Sequence, residues 1–288
     1  MSTVCLALAQ ARALGLDRLD AQLLMAHVLQ RSRSWVLAHD DAPLKAPEAQ
    51  RFRDLCARRA DDVPLPYLTG EREFHGFTLS VSPAVLVPRP ETEHLVDWAL
   101  ECLDDGPAHW GAEVADLGTG SGAVALAVAR ARPAARVTGV DQSPDALAVA
   151  RANAQRLGLA VEWQLGDWWQ PLAGRRFDLV LSNPPYVAEG DPHLKALRHE
   201  PRSALTSGPD GLDALRAIVG AAPRHLEPGA WLLLEHGHEQ AEATCRLLRR
   251  AGFEAVSTRT DLAARPRCSG GRWPAVASDA RKKHAKAA

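Results

Sequence analysis

The chain is expected to fold as an α/β protein: a mostly parallel sheet wound by helices on both faces and preceded by a small helical bundle. Short apolar runs at 113–117, 136–140, 161–165, 177–182, 230–235 and 253–257 alternate with helical segments. Such alternation builds parallel sheets whose ligands bind beyond the carboxyl ends of the strands. The first of these runs ends in Gly118-Thr119-Gly120-Ser121-Gly122, which opens a helix over 123–131. Residues 1–73, by contrast, carry apolar side chains at helical spacing with no strand alternation.

The 288 residues exceed the usual size of one domain, so two are expected. The divisions are a helical recognition domain over 1–73, a hairpin connector over 74–87, a sheet domain over 88–276 and a disordered basic tail over 277–288. With 46% hydrophobic and 24% charged residues, the chain can bury a core and stay dissolved. A net charge of -1 gives no global field toward phosphate, so direct contact with nucleic acid is not expected. The five cysteines are odd in number and form no C-x-x-C pair. They suit reduced thiols in a cytoplasm better than a disulfide frame or zinc site. No run of 18 apolar residues occurs, so no membrane span is expected. A monomer is the default state.

In chain order, Thr3 caps a helix over 4–14 that Gly15 stops, and Leu16, Leu19, Leu23, Leu24 and Val28 then mark one apolar face. A short helix follows around 35–38. Pro47 suits the first turn of a helix that carries Phe52, Leu55 and Cys56 inward and ends near Asp62. Residues 63–70 read as a proline-bounded connector, and Phe74, Phe77, Leu79 and Val81 suggest a hairpin. Pro88 to Glu93 then lead into a helix through Leu103. The helical bundle shows no catalytic constellation, so it is expected to bind a partner or close over the site.

Glycines at a helix N-terminus let backbone amides approach a ligand. This loop alone is ambiguous, because Gly118, Gly120 and Ala123 also satisfy a loose dinucleotide-binding pattern. Asp141, at the end of the next strand, suits a ribose hydroxyl pair in either kind of cofactor. Asp116 tilts the choice: a carboxylate just before the glycines could meet an ammonium group and would sit poorly against a pyrophosphate. S-adenosylmethionine has that ammonium. Trp168 follows the third strand, where it could stack on adenine, although a core tryptophan fits the sequence nearly as well.

The fourth strand delivers Asn183-Pro184-Pro185-Tyr186 into the same cleft. Two prolines stiffen the backbone and remove two donors, leaving carbonyls as acceptors. The Asn183 side-chain oxygen and the Pro184 carbonyl could each accept one hydrogen of an NH₂ group, with Tyr186 over its planar face. An amide nitrogen is a feeble nucleophile because its lone pair is delocalised. Holding both hydrogens out of line favours a pyramidal nitrogen aimed at a sulfonium methyl, and positioning of this kind can supply roughly 7–11 kcal/mol. Two other groupings attract attention. His236-Gly237-His238-Glu239 lacks the spacing of a helical H-E-x-x-H metal site, so no metal is expected. Cys268 beside Ser269 has no aligned base and reads as structural.

Asn183-Pro184-Pro185-Tyr186 together with the loop from Asp116 to Gly122 resembles the amino-methyltransferases, which include nucleic-acid adenine N6 and protein glutamine N5 enzymes. Further matches resemble the bacterial peptide chain release factor glutamine methyltransferases: Pro66 to Gly70, Arg72 to Phe74, Pro88 to Glu93, Asp167-Trp168, and Leu234 to Gly237. The resemblance covers roughly residues 1–273. It implies a class I S-adenosylmethionine-dependent methyltransferase fold, Rossmann-like with seven strands, and a helical domain that helps grip a release factor. The implied reaction methylates the glutamine N5 of that factor's Gly-Gly-Gln loop and leaves S-adenosylhomocysteine; a nucleic-acid adenine N6 activity is the alternative. By matched position, Gly118, Thr119, Gly120, Ser121, Gly122, Asp141, Trp168 and Asn183 would bind the cofactor. Asn183, Pro184, Pro185 and Tyr186 would hold the glutamine, with Arg89 and Glu91 near the entrance. Two departures stand out: Ala264 lies where a glycine is common, and the chain continues past the usual end near Trp273.

Overall fold

A computed structural model describes residues 2–104 and 111–275; the expected basic tail over 277–288 lies outside them. The helical part contains α1 (Val4–Ala13), α2 (Arg18–Leu29), α3 (Arg33–Ala38), α4 (Ala46–Ala60) and α5 (Leu65–Thr69). A minimal antiparallel pair joins β1 (Ser2–Thr3) to β2 (Pro43–Leu44). Thr3 caps α1 by accepting from the Leu6 amide. Val4, Leu24, Met25 and Phe52 centre the local core. Leu19 does not join it and is 46% exposed. The buried stripe of α2 runs through Ala21, Leu24, Met25 and Val28, which leaves Leu19 on the opposite flank. The connector over 63–70 holds a helix of its own, α5, started by Pro64 and ended by Gly70 in a left-handed conformation.

The hairpin of β3 (Glu71–Phe74) and β4 (Phe77–Ser80) opens at Glu71, ahead of the expected residue 74. Its strands seat Phe74, Phe77 and Leu79 against α6 (Glu93–Asp104) and α7 (Ala123–Ala131). The sheet comprises β5 (Glu113–Leu117), β6 (Arg136–Asp141), β7 (Glu162–Leu165), β8 (Phe177–Ser182), β9 (Leu226–Glu235), β10 (Glu254–Thr260) and β11 (Pro266–Arg272). Its strand order is β7-β6-β5-β8-β9-β11-β10. β5 to β9 run parallel, and β11 inserts antiparallel to both neighbours. One apolar layer holds α6 and α7; the other holds α9 (Asp213–Ala221) and α10 (Ala241–Arg250). The helix α8 (Pro144–Leu157) follows β6 and packs on the β6–β7 edge.

β11 went unseen in the sequence, where Cys268 and Ser269 invited only a question about nucleophiles. It has no period-two alternation, because Cys268, Ser269, Gly270 and Gly271 are all buried. The chain order reverses between β5 and β8, which places the ligand crevice outside their carboxyl ends. Among the described residues, no helix is long and apolar enough to cross a membrane.

Candidate active site

The ends of four strands, β5, β6, β7 and β8, converge on one cleft. At the end of β5, Gly118, Gly120 and Gly122 take φ of 74°, 55° and 83°, a region costly for residues with a Cβ. The Gly118 and Thr119 amides donate to the Val140 carbonyl, which folds the loop over β6. A Cβ on Gly122 would come within 3.0 Å of Trp163 and 3.1 Å of Leu126, so this glycine serves close packing behind the cleft. Asp116 is buried, and its Oδ2 accepts from the Thr119 hydroxyl at 2.6 Å and the Ala125 amide at 3.2 Å. Burial pushes its carboxyl up to about 6, against those two hydrogen bonds. Asp141 accepts from the Gly120 amide on one oxygen and the Ser143 amide on the other, at 2.8 and 2.9 Å. Burial raises its pKa too, and no cation stands among the described groups acting on either carboxylate.

Trp168 is half-buried and lines this cleft from a left-handed backbone, φ 44°. The core tryptophan is its neighbour Trp169, whose Nε1 donates to the Ile218 carbonyl and whose ring stacks on His225 at 4.7 Å. Gly118 leaves room for Trp168, since a Cβ there would lie 3.2 Å from the indole.

At the end of β8, Asn183 donates through Nδ2 to the Thr92 hydroxyl at 3.0 Å, while its Oδ1 is buried with no partner. No described group donates to the Pro184 carbonyl. Beyond the turn, the Tyr186 carbonyl accepts from Gln240 Nε2 at 3.0 Å. Burial first, then the Glu235 carboxylate, pushes the Tyr186 phenol up, with Arg267 and Arg89 opposing.

The cleft therefore collects Asp116, Gly118, Thr119, Gly120, Ser121, Asp141, Trp168, Asn183, Pro185 and Arg89. Pro184 is buried, and Gly122 stands behind the wall. Tyr186 and Glu91 do not line that cleft; they share an electrostatic neighbourhood with Glu235 and Arg267 on the far side of Asn183. Arg89 is not free for a substrate group alone, because it pairs with Glu200 at 2.5 Å and Glu200 also accepts from the Val87 amide.

The other two groupings are scattered. His236 is buried with one ring nitrogen on Ser269 and the other on the Gly237 carbonyl, whereas His238 points outward. Among the described residues, no His, Cys, Asp and Glu group could hold a metal ion. Cys268 is fully buried, and burial pushes its thiol up.

Comparison with known proteins resolves which enzymes share this arrangement. A family profile described as PrmC N-terminal domain matches residues 4–70, and one described as methyltransferase small domain matches 98–210. A release factor glutamine methyltransferase of Xylella fastidiosa is 48% identical over 272 residues, covering 93% of this chain and 98% of that protein. One from Bordetella pertussis is 51% identical, covering 89% of this chain and 95% of the other. This chain belongs to the release factor glutamine methyltransferase family. The Escherichia coli K12 member is 40% identical over 270 residues, covering 93% and 96% of the two chains. The adenine N6 alternative is not favoured by these relatives.

Solved structures place the methyltransferase in the class I fold. A methyltransferase from Pyrococcus furiosus superposes with a TM-score of 0.51 at 18% identity, over 69% of this chain and 89% of that one. A Thermus thermophilus 16S rRNA N2 G1207 methyltransferase, solved with AdoMet and guanosine, gives 0.51 at 23% identity over 70% and 49% of the chains.

Four polar residues of the methyltransferase that complete the site had no assigned role in the sequence: Thr92, Asn153, Glu200 and Glu235. Thr92 and Glu235 lie inside the quoted motifs, so their presence was visible and their contacts were not. Asn153 is fully buried and ties the Ser80 backbone to the Ser121 carbonyl, joining hairpin and glycine loop. Glu200 meets Arg89 across 111 positions of sequence, which no local pattern announces.

Proposed function

We propose that this protein, acting in the cytoplasm, transfers a methyl group from S-adenosylmethionine to the side-chain N5 of the glutamine in the Gly-Gly-Gln loop of peptide chain release factors. S-adenosylhomocysteine is the other product, and translation termination is the process modulated. The family membership supplies the substrate class. The observation that carries the chemistry is the Asn183 Oδ1, a buried acceptor with no partner, at the border between the cleft and the Tyr186 neighbourhood. A buried acceptor left unsatisfied costs about 1–3 kcal/mol, and an incoming amide NH₂ removes that penalty.

The cleft suits the cofactor. Asp116 and Asp141 are carboxylates raised by burial without cationic partners, so a ligand bringing an ammonium and ribose hydroxyls would stabilise their charged forms. Gly118 to Ser121 would lie along it, with Trp168 against its adenine. When bound, the cofactor supplies an electrophilic methyl on a sulfonium.

The protein's part is positioning. Asn183 Oδ1 and the Pro184 carbonyl each accept one hydrogen of the glutamine amide, which turns the nitrogen lone pair out of conjugation. Pro185 stiffens the turn. Tyr186, neutral because its phenol is pushed up, covers the amide plane, and Arg89 and Glu91 border the approach. No strong base is needed before transfer, since the nitrogen attacks with both hydrogens in place; as the nitrogen–methyl bond forms the methyl–sulfur bond breaks, and one amide proton is then lost to leave a neutral N-methyl amide.

Mass spectrometry of a purified release factor after incubation with enzyme and methyl-labelled cofactor tests this directly. One labelled methyl on the loop glutamine is expected. A label absent from the factor under conditions where the cofactor binds, or present on another residue, contradicts it.

A further inference from the structure

β8 and β9 run parallel with Ser182 opposite Leu234, so Asn183 and Glu235 leave the sheet side by side. Glu235 is 1% exposed, and its Oε2 completes no hydrogen bond in this geometry. The Thr92 hydroxyl and the Asn183 amide lie close enough to favour the charged carboxylate, and neither completes a hydrogen bond to its Oε2 in this geometry. Thr92, 3% exposed, also accepts from Asn183 Nδ2 at 3.0 Å. Three side chains from separate elements thus meet in one polar cluster: buried Glu235 from the end of β9, buried Thr92 from the turn before α6, and partly buried Asn183 from the turn after β8.

The chemistry of the three groups gives that chain a direction. An ionised carboxylate only accepts, and a hydroxyl has one proton to give. When Thr92 gives its proton toward Glu235, its oxygen is left as an acceptor and can meet only the NH₂ end of Asn183. The Asn183 oxygen must then face away from Thr92. Turned over, the same side chain would present donors to the substrate NH₂, and donor would meet donor. Shape alone does not prevent this, because the two ends of an amide are nearly the same size.

We propose that Glu235 is a positioning residue: acting through Thr92, it fixes which end of the Asn183 amide faces the substrate nitrogen. The inference rests on the functional reading above, in which Asn183 accepts from the glutamine amide. Protonated Glu235 can donate, so Thr92 becomes free to turn its own proton toward Asn183 and the order is lost. Burial pushes the Glu235 carboxyl up to about 7, with Thr92, Arg267 and Asn183 opposing and Glu91 adding to the rise. The titratable and charged groups facing it are Glu91, Tyr186, Arg267 and Cys268. Tyr186 and Cys268 are pushed up and stay neutral through that range, and Arg267 stays charged. Transfer activity should therefore fall on the acid side as Glu235 takes up its proton.

The test is steady-state methyl transfer to a release factor by the full chain and its E235Q, T92V and T92S variants across about pH 6 to 9, with cofactor affinity measured by calorimetry. E235Q and T92V are expected to lower kcat by roughly 10-fold or more at pH 8 with cofactor affinity retained. T92S, which keeps the hydroxyl, should recover most of what T92V loses. The acid limb near pH 7 should be absent from E235Q. Variants that match the wild type, or an acid limb unchanged in E235Q, overturn the inference while the methylation reading stands. Equal losses of kcat and cofactor affinity show a merely structural role and overturn it too. No transfer by the wild type removes the functional reading and this inference with it.

Discussion

Asn183 and Asp116 are polar residues lining one cleft, Asp116 buried and Asn183 partly so, and each is incompletely satisfied by the protein itself. Asn183 makes a single side-chain hydrogen bond, to Thr92, so Asn183→Ala should leave the fold intact. Turnover should fall by about 10² or more, as expected for losing one oriented polar contact in the transition state. Stopped-time assays beside thermal melts check both parts, and an unchanged rate takes Asn183 out of the mechanism. Asp116 makes a prediction about pH. Its carboxyl titrates at about 6 in the folded chain, above its ordinary range, so between those values the folded chain binds the extra proton. Its protonated form stabilises the fold fully at the acid end, and that contribution is lost as pH rises through about 6. Melts of wild type and Asp116→Asn without cofactor should therefore diverge between about pH 4 and 7, the wild type losing on the order of 3 kcal/mol relative to the variant. A constant difference across that span contradicts the assignment. These residues were readable because their motifs are contiguous in the chain. Thr92 and Glu235 were readable only as letters, since their meaning lies in contacts between elements.

At the scale of elements, the parallel strands and their helices were legible because apolar runs alternate with amphipathic segments. β11 was not, because close packing has replaced its side chains. A Cβ on Gly270 would sit 2.5 Å from the Leu233 side chain and 2.9 Å from both the Leu232 carbonyl and Trp98. Gly270→Ala should thus destabilise by about 1–3 kcal/mol through overpacking, read as a lower urea midpoint. The turn between β10 and β11 gives the opposite sign. Ala264 sits at φ 58°, so the turn keeps a left-handed shape although it lacks the usual glycine. Asp261 stabilises the turn by accepting from the Ala263 and Arg265 amides and holding Arg267 at 3.0 Å. Arg267 is the cation nearest Glu235 and Tyr186 in electrostatic terms, so the departure does not disturb the site. Ala264→Gly should raise stability by about 1 kcal/mol, the left-handed penalty less glycine's extra unfolded-state entropy. A lower midpoint would mean that the turn is not strained.

Across the whole molecule, the segment after the Asn-Pro-Pro-Tyr turn joins the cleft to the helical part. Pro201, Ser203 and Ala204 line the cleft, Glu200 grips Arg89 and the Val87 amide, and Arg198 reaches Asp61 and Asp62 at 2.8 and 2.9 Å. His199 adds a contact to the Asp61 carbonyl at 2.7 Å. None of this is local in sequence: Arg198 and Asp61 are 137 positions apart, so no pattern along the chain announces the clasp. The Arg198 pairs are exposed, so salt screens them and they add little to stability. Their effect is on orientation. The helical part is proposed to hold the release factor while Asn183 holds its glutamine, so the two must keep a fixed relation for one substrate to reach both. Arg198→Glu, which sets like charges against each other, should leave the melting curve and cofactor affinity nearly unchanged while raising KM for the release factor several-fold. Added salt should weaken the wild type toward the variant and narrow the gap between them. If KM is unmoved at low salt, the clasp has no part in substrate capture. If cofactor affinity falls with it, the segment acts on the cleft and not on the domain arrangement.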